Sequence, residues 1–160
     1  GDRNMKISIY CIGKLKESYW VDAVNEYLKR IQRFSKIEIV EFPDVAYKEG
    51  ENEELVKDKE CLKVLQKLNK TDFVIGLDLN RKEVDSVKLS EQLSSWFVKG
   101  GSNISFVIGG SLGLSKQLKE RCNDFLTLSK LTLPHQLCRV FLLEQIYRSF
   151  KILNHETYHK

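Results

Sequence analysis

Two segments of the chain bring together residue types that can grip a small organic ligand. The apolar run Phe106-Val107-Ile108 passes directly into Gly109-Gly110-Ser111-Leu112-Gly113, and adjacent glycines let backbone approach a ligand more closely than side-chain-bearing residues allow. Ligands of open α/β sheets sit beyond the carboxyl ends of strands, which is where this run falls if Phe106–Ile108 is a strand. It matches neither the G-x-G-x-x-G dinucleotide pattern nor a P-loop, so a phosphate cradle is not supported. A plain tight turn uses the same glycines. The second segment, Leu128-Ser129-Lys130-Leu131-Thr132-Leu133-Pro134-His135-Gln136, offers small polar groups and exposed backbone that can bond a ligand's edges.

Groups able to handle protons or anions gather towards the C-terminus. His135 follows Pro134 at the start of the last helical pattern, where the positive end of the helix dipole favours a neutral imidazole available as a base. A helix-terminal histidine bonded to local backbone is the plainer reading. Arg139, Glu144 and Arg148 follow on the same helix, and Glu144 to Arg148 has the i,i+4 order of an ion pair, usually a solvated one. In the terminal His155-Glu156-Thr157-Tyr158-His159-Lys160, two histidines stand four apart without the third ligand that zinc requires. Tyr158 and His159 can instead stack on a base or move a proton, or the tail can fray. Cys11, Cys61, Cys122 and Cys138 form no C-x-x-C pair and show no activating neighbours, so reduced, mostly buried thiols are expected.

The elements that position these groups alternate. Lys6–Ile12 is β-branched and aromatic and ends at Gly13, a strand and a turn. Trp20–Arg33 carries Trp20, Val21, Val24, Tyr27, Leu28 and Ile31 at helical spacing. A strand over Ile37–Phe42 follows, then an acidic loop and a helix carrying Leu55, Cys61, Leu62, Leu65 and Leu68. Strand Phe73–Asp78, a helix over Ser90–Val98 capped by Ser90, strand Ile104–Ile108, a short helix from the Ser115 cap to Arg121, strand Phe125–Leu128, and a helix from Pro134 to about Leu153 complete the pattern. Strands alternating with helices imply an open, mostly parallel α/β sheet.

The chain has 160 residues, 42% of them hydrophobic, and a formal charge of +4. That is ample for one core and excludes intrinsic disorder. No apolar run reaches the roughly 18 to 20 residues of a membrane span. Gly1-Asp2-Arg3-Asn4 reads as a cloning remnant ahead of a single domain over residues 5–160, and a cytoplasmic location is expected. Residues 116–160 hold 8 basic against 4 acidic side chains, an excess that a solvated surface also shows and that otherwise suggests where a polyanion would dock. The last helix spreads Leu137, Val140, Phe141, Leu142, Ile146, Tyr147, Phe150 and Leu153 around most of its circumference. Either it is buried within the monomer, or one side meets the sheet and the other a second subunit in a symmetric dimer.

The opening Met5-Lys6-Ile7-Ser8-Ile9, the Gly13-Lys14-Leu15-Lys16 turn with Trp20 after it, Leu77-Asp78, the glycine run through Leu114, the Leu128–Gln136 loop, and Arg139-Val140 through Glu144-Gln145-x-Tyr147-Arg148 to Tyr158-His159-Lys160 together resemble the RlmH family. These are SPOUT-class methyltransferases, and the similarity runs in register from Met5 to Lys160. One departure is Ser111-Leu112, where many relatives carry Pro-Glu or a similar pair.

The resemblance implies a parallel sheet whose C-terminal part is threaded into a trefoil knot, a homodimer, and S-adenosylmethionine as cofactor with no metal. It implies methylation at N3 of a pseudouridine in 23S ribosomal RNA of the assembled ribosome. Residue by residue, the cofactor pocket would be Leu77, Gly109, Gly110, Leu128, Ser129, Lys130, Leu131, Thr132 and Leu133. His135 or His159 would be the base, with Tyr158 and Arg139 orienting the nucleotide and Arg148 and Lys160 holding phosphate. The rival readings are a non-catalytic α/β adenine-nucleotide-binding module and an oligomeric scaffold without a small ligand.

Overall fold

The computed structural model describes residues 5–158, so His159, Lys160 and the four residues before Met5 lie outside the described residues. Five strands, β1 (Lys6–Ile12), β2 (Lys36–Phe42), β3 (Phe73–Leu77), β4 (Asn103–Ile108) and β5 (Asp124–Leu126), alternate with five helices: α1 (Ser18–Ile31), α2 (Glu53–Lys67), α3 (Ser86–Lys99), α4 (Lys116–Arg121) and α5 (His135–Leu153). All strand pairings are parallel, in the order β2-β1-β4-β3-β5. A parallel sheet must be covered on both faces, and the two-residue period of β1 divides its side chains between two cores. Ile7, Ile9 and Cys11 enter the larger core with α1, α3 and α5. Tyr10 and Ile12 enter the smaller one with Cys61 and Val64 of α2 and Leu118 of α4.

Most predicted elements stand close to their expected limits, and two ends differ for local reasons. Helix α3 begins at Ser86, four residues before the expected Ser90 cap, because Asp85 accepts the Lys88 N–H at 2.8 Å and caps it. Ser90 is buried inside the helix, its hydroxyl turned back onto the Val87 carbonyl at 2.6 Å. Strand β5 stops at Leu126 rather than Leu128. There Thr127 is diverted: its hydroxyl donates to the Asp78 carbonyl and accepts the Arg81 N–H at 3.1 Å.

Helix α5 meets its neighbours over much of its circumference. Leu142, Leu143, Ile146 and Phe150 are buried in the larger core. Phe150 stacks on Phe34 just beyond α1 at 5.3 Å and meets Phe97 of α3 at 6.1 Å. Tyr147 approaches Tyr27 of α1 at 6.5 Å. Burial within one chain therefore explains much of the apolar girdle, while Leu137 remains 36% exposed.

The thiols are poor nucleophiles. Burial pushes Cys11 up to about 12 and Cys122 up to about 11, against only partial opposition from Arg139 and Arg121, respectively. Burial also raises Cys61 and Cys138. The thiolate is the reacting form, so at pH 8 the native chain should react with a thiol-specific disulfide reagent far more slowly than free cysteine. All four thiols should titrate rapidly only in denaturant; a fast-reacting native thiol would contradict this reading.

Candidate active site

The chain leaves β4, passes over its neighbour β3 through α4, and returns as β5 at the sheet edge. Beyond the carboxyl ends of these three strands lies a cleft of about 640 Å³, within the range of small-molecule sites. The 109–113 turn forms one wall. Gly113, at φ +84°, doubles the chain back so that its N–H bonds the Gly110 carbonyl at 3.0 Å. A Cβ on Gly109 would stand 2.7 Å from the Gly113 carbonyl carbon, so only glycine allows the closure. Cys61 of α2 braces the turn from below, its sulfur accepting the Ser115 N–H at 3.3 Å.

The 128–134 segment forms the facing lip. Its backbone is set by the Leu131 N–H bonding Ser129 Oγ at 3.0 Å and the Lys130 N–H bonding Glu83 Oε1 at 2.6 Å. Leu77, Gly109, Gly110, Leu128, Ser129, Leu131, Thr132 and Leu133 all line the cleft, and so does His135. Among the predicted cofactor residues Lys130 does not: its backbone is committed to Glu83. Ser111 of the glycine run also lines it, as do Asn80, Lys57 and Lys119, which were not singled out from the sequence. These last three are isolated polar residues in loops or on helix faces, without a spacing that distinguishes them from solvated surface.

His135 opens α5 with its ring over Gly13, whose Cβ position would lie 3.2 Å from His135 Cε1. His135 Nδ1 is buried without a hydrogen-bond partner. Arg139, one turn further on, is 2% exposed and does not line the cleft. It holds Glu41 at 2.5 Å and the Gly13 carbonyl at 3.2 Å, while the same Glu41 oxygen accepts the Leu15 N–H at 3.0 Å. Arg139 therefore positions the turn against which His135 packs rather than touching a ligand.

Arg148 and Tyr158 stand elsewhere. Arg148 Nε pairs with Glu144 at 3.0 Å, the Tyr158 hydroxyl donates to the same carboxylate at 2.8 Å, and the guanidinium lies 4.8 Å above the Tyr158 ring. Burial first, then this bond to Glu144, raises the Tyr158 phenol to about 12. The pair expected to be solvated is instead half-buried, and the tail is pinned by Glu156, which bonds Arg33 at 2.6 Å and Lys151 at 3.1 Å. Along α5, Glu144 is about 13 Å and Arg148 about 20 Å from His135 at 1.5 Å per residue. Among the described residues, neither Arg148 nor Tyr158 lines the cleft of its own chain.

Apolar walls with backbone and small hydroxyl groups along one edge suit the ring and ribose of an adenosyl group, and the glycine cradle leaves room for it. Among the described residues no three His, Cys, Asp or Glu side chains gather to hold a metal ion.

The parallel sheet with a cleft at its carboxyl edge is an α/β architecture suited to an adenosyl ligand, and the family match makes the protein a methyltransferase with S-adenosylmethionine as methyl donor. The family model described as "Predicted SPOUT methyltransferase" matches residues 5–159, and the chain belongs to that family. Its sequence is 47% identical over 159 residues to "Ribosomal RNA large subunit methyltransferase H 1" of Clostridium perfringens (strain SM101 / Type A), covering 98% of this chain and all of that protein. It is 48% identical to the ribosomal RNA large subunit methyltransferase H of Clostridium novyi and 45% identical to that of Enterococcus faecalis, with the same coverage. The family implies the knotted C-terminal topology expected above. The bonds from the 78–85 loop to Thr127 and Lys130 secure the chain just before it turns into α5.

Proposed function

We propose that this protein methylates N3 of a pseudouridine in 23S ribosomal RNA of the assembled ribosome, acting in the cytoplasm as a homodimer. The observation that carries the reading is the convergence of the Leu77, Gly109–Gly110 and Leu128–Leu133 segments on one cleft with His135 at its edge. When bound there, S-adenosylmethionine supplies a methyl group on a sulfonium leaving group. The backbone of the two loops orients it, which aligns the methyl group with the acceptor nitrogen. His135 takes the N3 proton from the imide, whose nitrogen is a poor nucleophile until deprotonated. The His135 imidazole would keep that proton while the nitrogen accepts the bound donor's methyl group, leaving S-adenosylhomocysteine and the methylated base.

The distance of Arg148 and Tyr158 from the cleft within one chain favours a site completed across a dimer. Leu131 is 76% and Val87 46% exposed, and Val87, Leu128 and Phe141 line one surface hollow. These apolar groups are the expected contact.

The test uses ribosomes lacking the modification. A methyl group at N3 blocks the pairing edge of the base, so reverse transcription should stop one nucleotide before it after incubation with the protein and S-adenosylmethionine. Absence of a stop, with no methyl incorporated into 23S RNA, would refute the proposal. His135→Ala should lower turnover about a hundredfold, within the usual contribution of a general base, and Tyr158→Ala should also be impaired. Subunits of the two variants mixed one to one and allowed to exchange should recover about a quarter of wild-type activity, because half the dimers then hold one intact composite site. No recovery would place both residues in the same chain's site.

A further inference from the structure

We propose that Glu60 is a specificity-determining residue for the cationic methyl donor: lying beneath Gly110, its carboxylate complements the positive sulfur that distinguishes S-adenosylmethionine from S-adenosylhomocysteine. The inference rests on the reading that the donor lies against the Gly109–Gly110 turn.

Glu60 sits where an acidic residue needs a reason. Val56, Glu60 and Val64 follow one another at four-residue spacing on the buried stripe of α2, and Glu60 is only 4% exposed. One oxygen, Oε2, accepts the Val45 N–H at 2.9 Å and ties the connection after β2 to the helix. The other, Oε1, is fully buried and has no hydrogen-bond partner. Lys57, one turn earlier on α2 and lining the cleft, pairs with Glu54 at 3.0 Å instead. Buried carboxyl oxygens are rarely left unsatisfied, because each forfeits its hydration.

The direction of this group gives it a role. A Cβ built on Gly110 would lie 3.3 Å from Oε1 and 3.6 Å from Oε2, while Gly110 itself lines the cleft. Glu60 does not itself line the cleft, so its carboxylate acts on a ligand at that wall from behind Gly110, beside Ile12. The adjoining Cys61 accepts the N–H of Ser115, the α4 cap just beyond the turn, and so ties α2 to this wall. Across so short a distance a negative charge acts strongly on a cation and hardly at all on a neutral group of the same shape. Methyl transfer converts the sulfonium to a neutral thioether, so the attraction ends with the reaction and the product is held less firmly.

Glu60→Gln removes the charge while keeping the volume and a carbonyl oxygen able to accept the Val45 N–H. Calorimetric titration of the full chain compares three ligands. These are S-adenosylmethionine, sinefungin, which carries an ammonium-bearing carbon in place of the sulfonium, and neutral S-adenosylhomocysteine. The substitution should weaken both cationic ligands about tenfold, the order expected from Coulomb's law at an intermediate effective dielectric. Binding of S-adenosylhomocysteine should stay within twofold of wild type. Equal weakening of all three, or no change in any, would overturn the assignment and leave Glu60 a purely structural residue.

Glu60→Asp keeps the charge and covers the case in which the glutamine variant does not fold. Its ratio of S-adenosylmethionine to S-adenosylhomocysteine affinity should remain within twofold of the wild-type ratio even if both affinities fall. Collapse of that ratio would contradict the proposal. Wild-type protein that bound none of the three ligands would overturn the methyltransferase reading itself, an outcome distinct from the loss of charge preference alone.

Discussion

Gly109→Val should abolish S-adenosylmethionine binding in a calorimeter, a loss of more than about a hundredfold, while the chain retains its parallel-sheet circular dichroism. The atoms a Cβ would meet at Gly109 are all backbone: the carbonyl carbon, carbonyl oxygen and Cα of Gly113 at 2.7, 2.8 and 3.0 Å. A flexible side chain could swing aside, but a doubled-back turn cannot, so the Gly110–Gly113 closure must open. Its wall of the cleft then moves by about an ångström or more, enough to break the alignment on which transfer depends. Core residues of β4 such as Phe106 and Val107 lie before the substitution and keep their burial. Gly50→Ala supplies the control. Its φ of +88° makes alanine strained there too, yet nothing lies within 4 Å of the added carbon, so it should lose about 1 kcal/mol of stability without changing affinity. Wild-type affinity in Gly109→Val would remove this turn from the binding site.

Glu41→Ala should destabilise the fold by about 3 kcal/mol, the low end of the range for removing one partner of a buried ion pair. Arg139 has a side chain only 2% exposed, and without Glu41 its charge is left in the interior with the Gly13 carbonyl as its remaining hydrogen-bond partner. Glu41 is 32% exposed on its own side, which limits the effect by letting water reach the gap. Replacing both residues with methionine should cost less than the sum of the single replacements, because no charge is then stranded. Chemical denaturation of the four proteins measures this directly; strict additivity would show that the pair contributes nothing.

The same pair gives a pH dependence. Burial opposes ionisation of Glu41, but the hydrogen bonds from Arg139 and from the Leu15 N–H, with the Arg139 charge, overcome it and hold the carboxyl below its ordinary range. A depressed folded-state pKa means that the contribution is present above the unfolded-state value and is lost as pH falls through the folded one. Wild type should therefore lose stability on acidification below the ordinary glutamate range by more than Glu41→Ala does.

Several particular features were legible from residue order. The β-branched period of Lys6–Ile12 specified β1 to the residue. Ser115 was readable as a cap, and its hydroxyl accepts the Leu118 N–H at 3.2 Å. Joint matches in the glycine run, the Leu128–Gln136 loop and the C-terminal block carried the family and most of the cleft lining. The Ser90 cap failed because serine at an apparent helix start is indistinguishable from serine buried one turn inside it; Asp85 settled the matter through a bond that order alone does not display. Glu60 left a signal that went unused, an acid midway between two valines on one helical stripe.

The sequence by itself determined the alternation of strands and helices, the two loops that line the cleft and membership in a methyltransferase family, because these depend on local periodicity and contiguous motifs. Only the tertiary structure decided that Arg139 serves from beneath through Glu41 and Gly13, that Tyr158 is held by Glu144 away from the cleft, and that the free oxygen of Glu60 faces Gly110. Those roles depend on burial and on contacts between residues 14 to 126 positions apart. A charged side chain has the same identity in water or in the interior, and only packing decides which environment it meets.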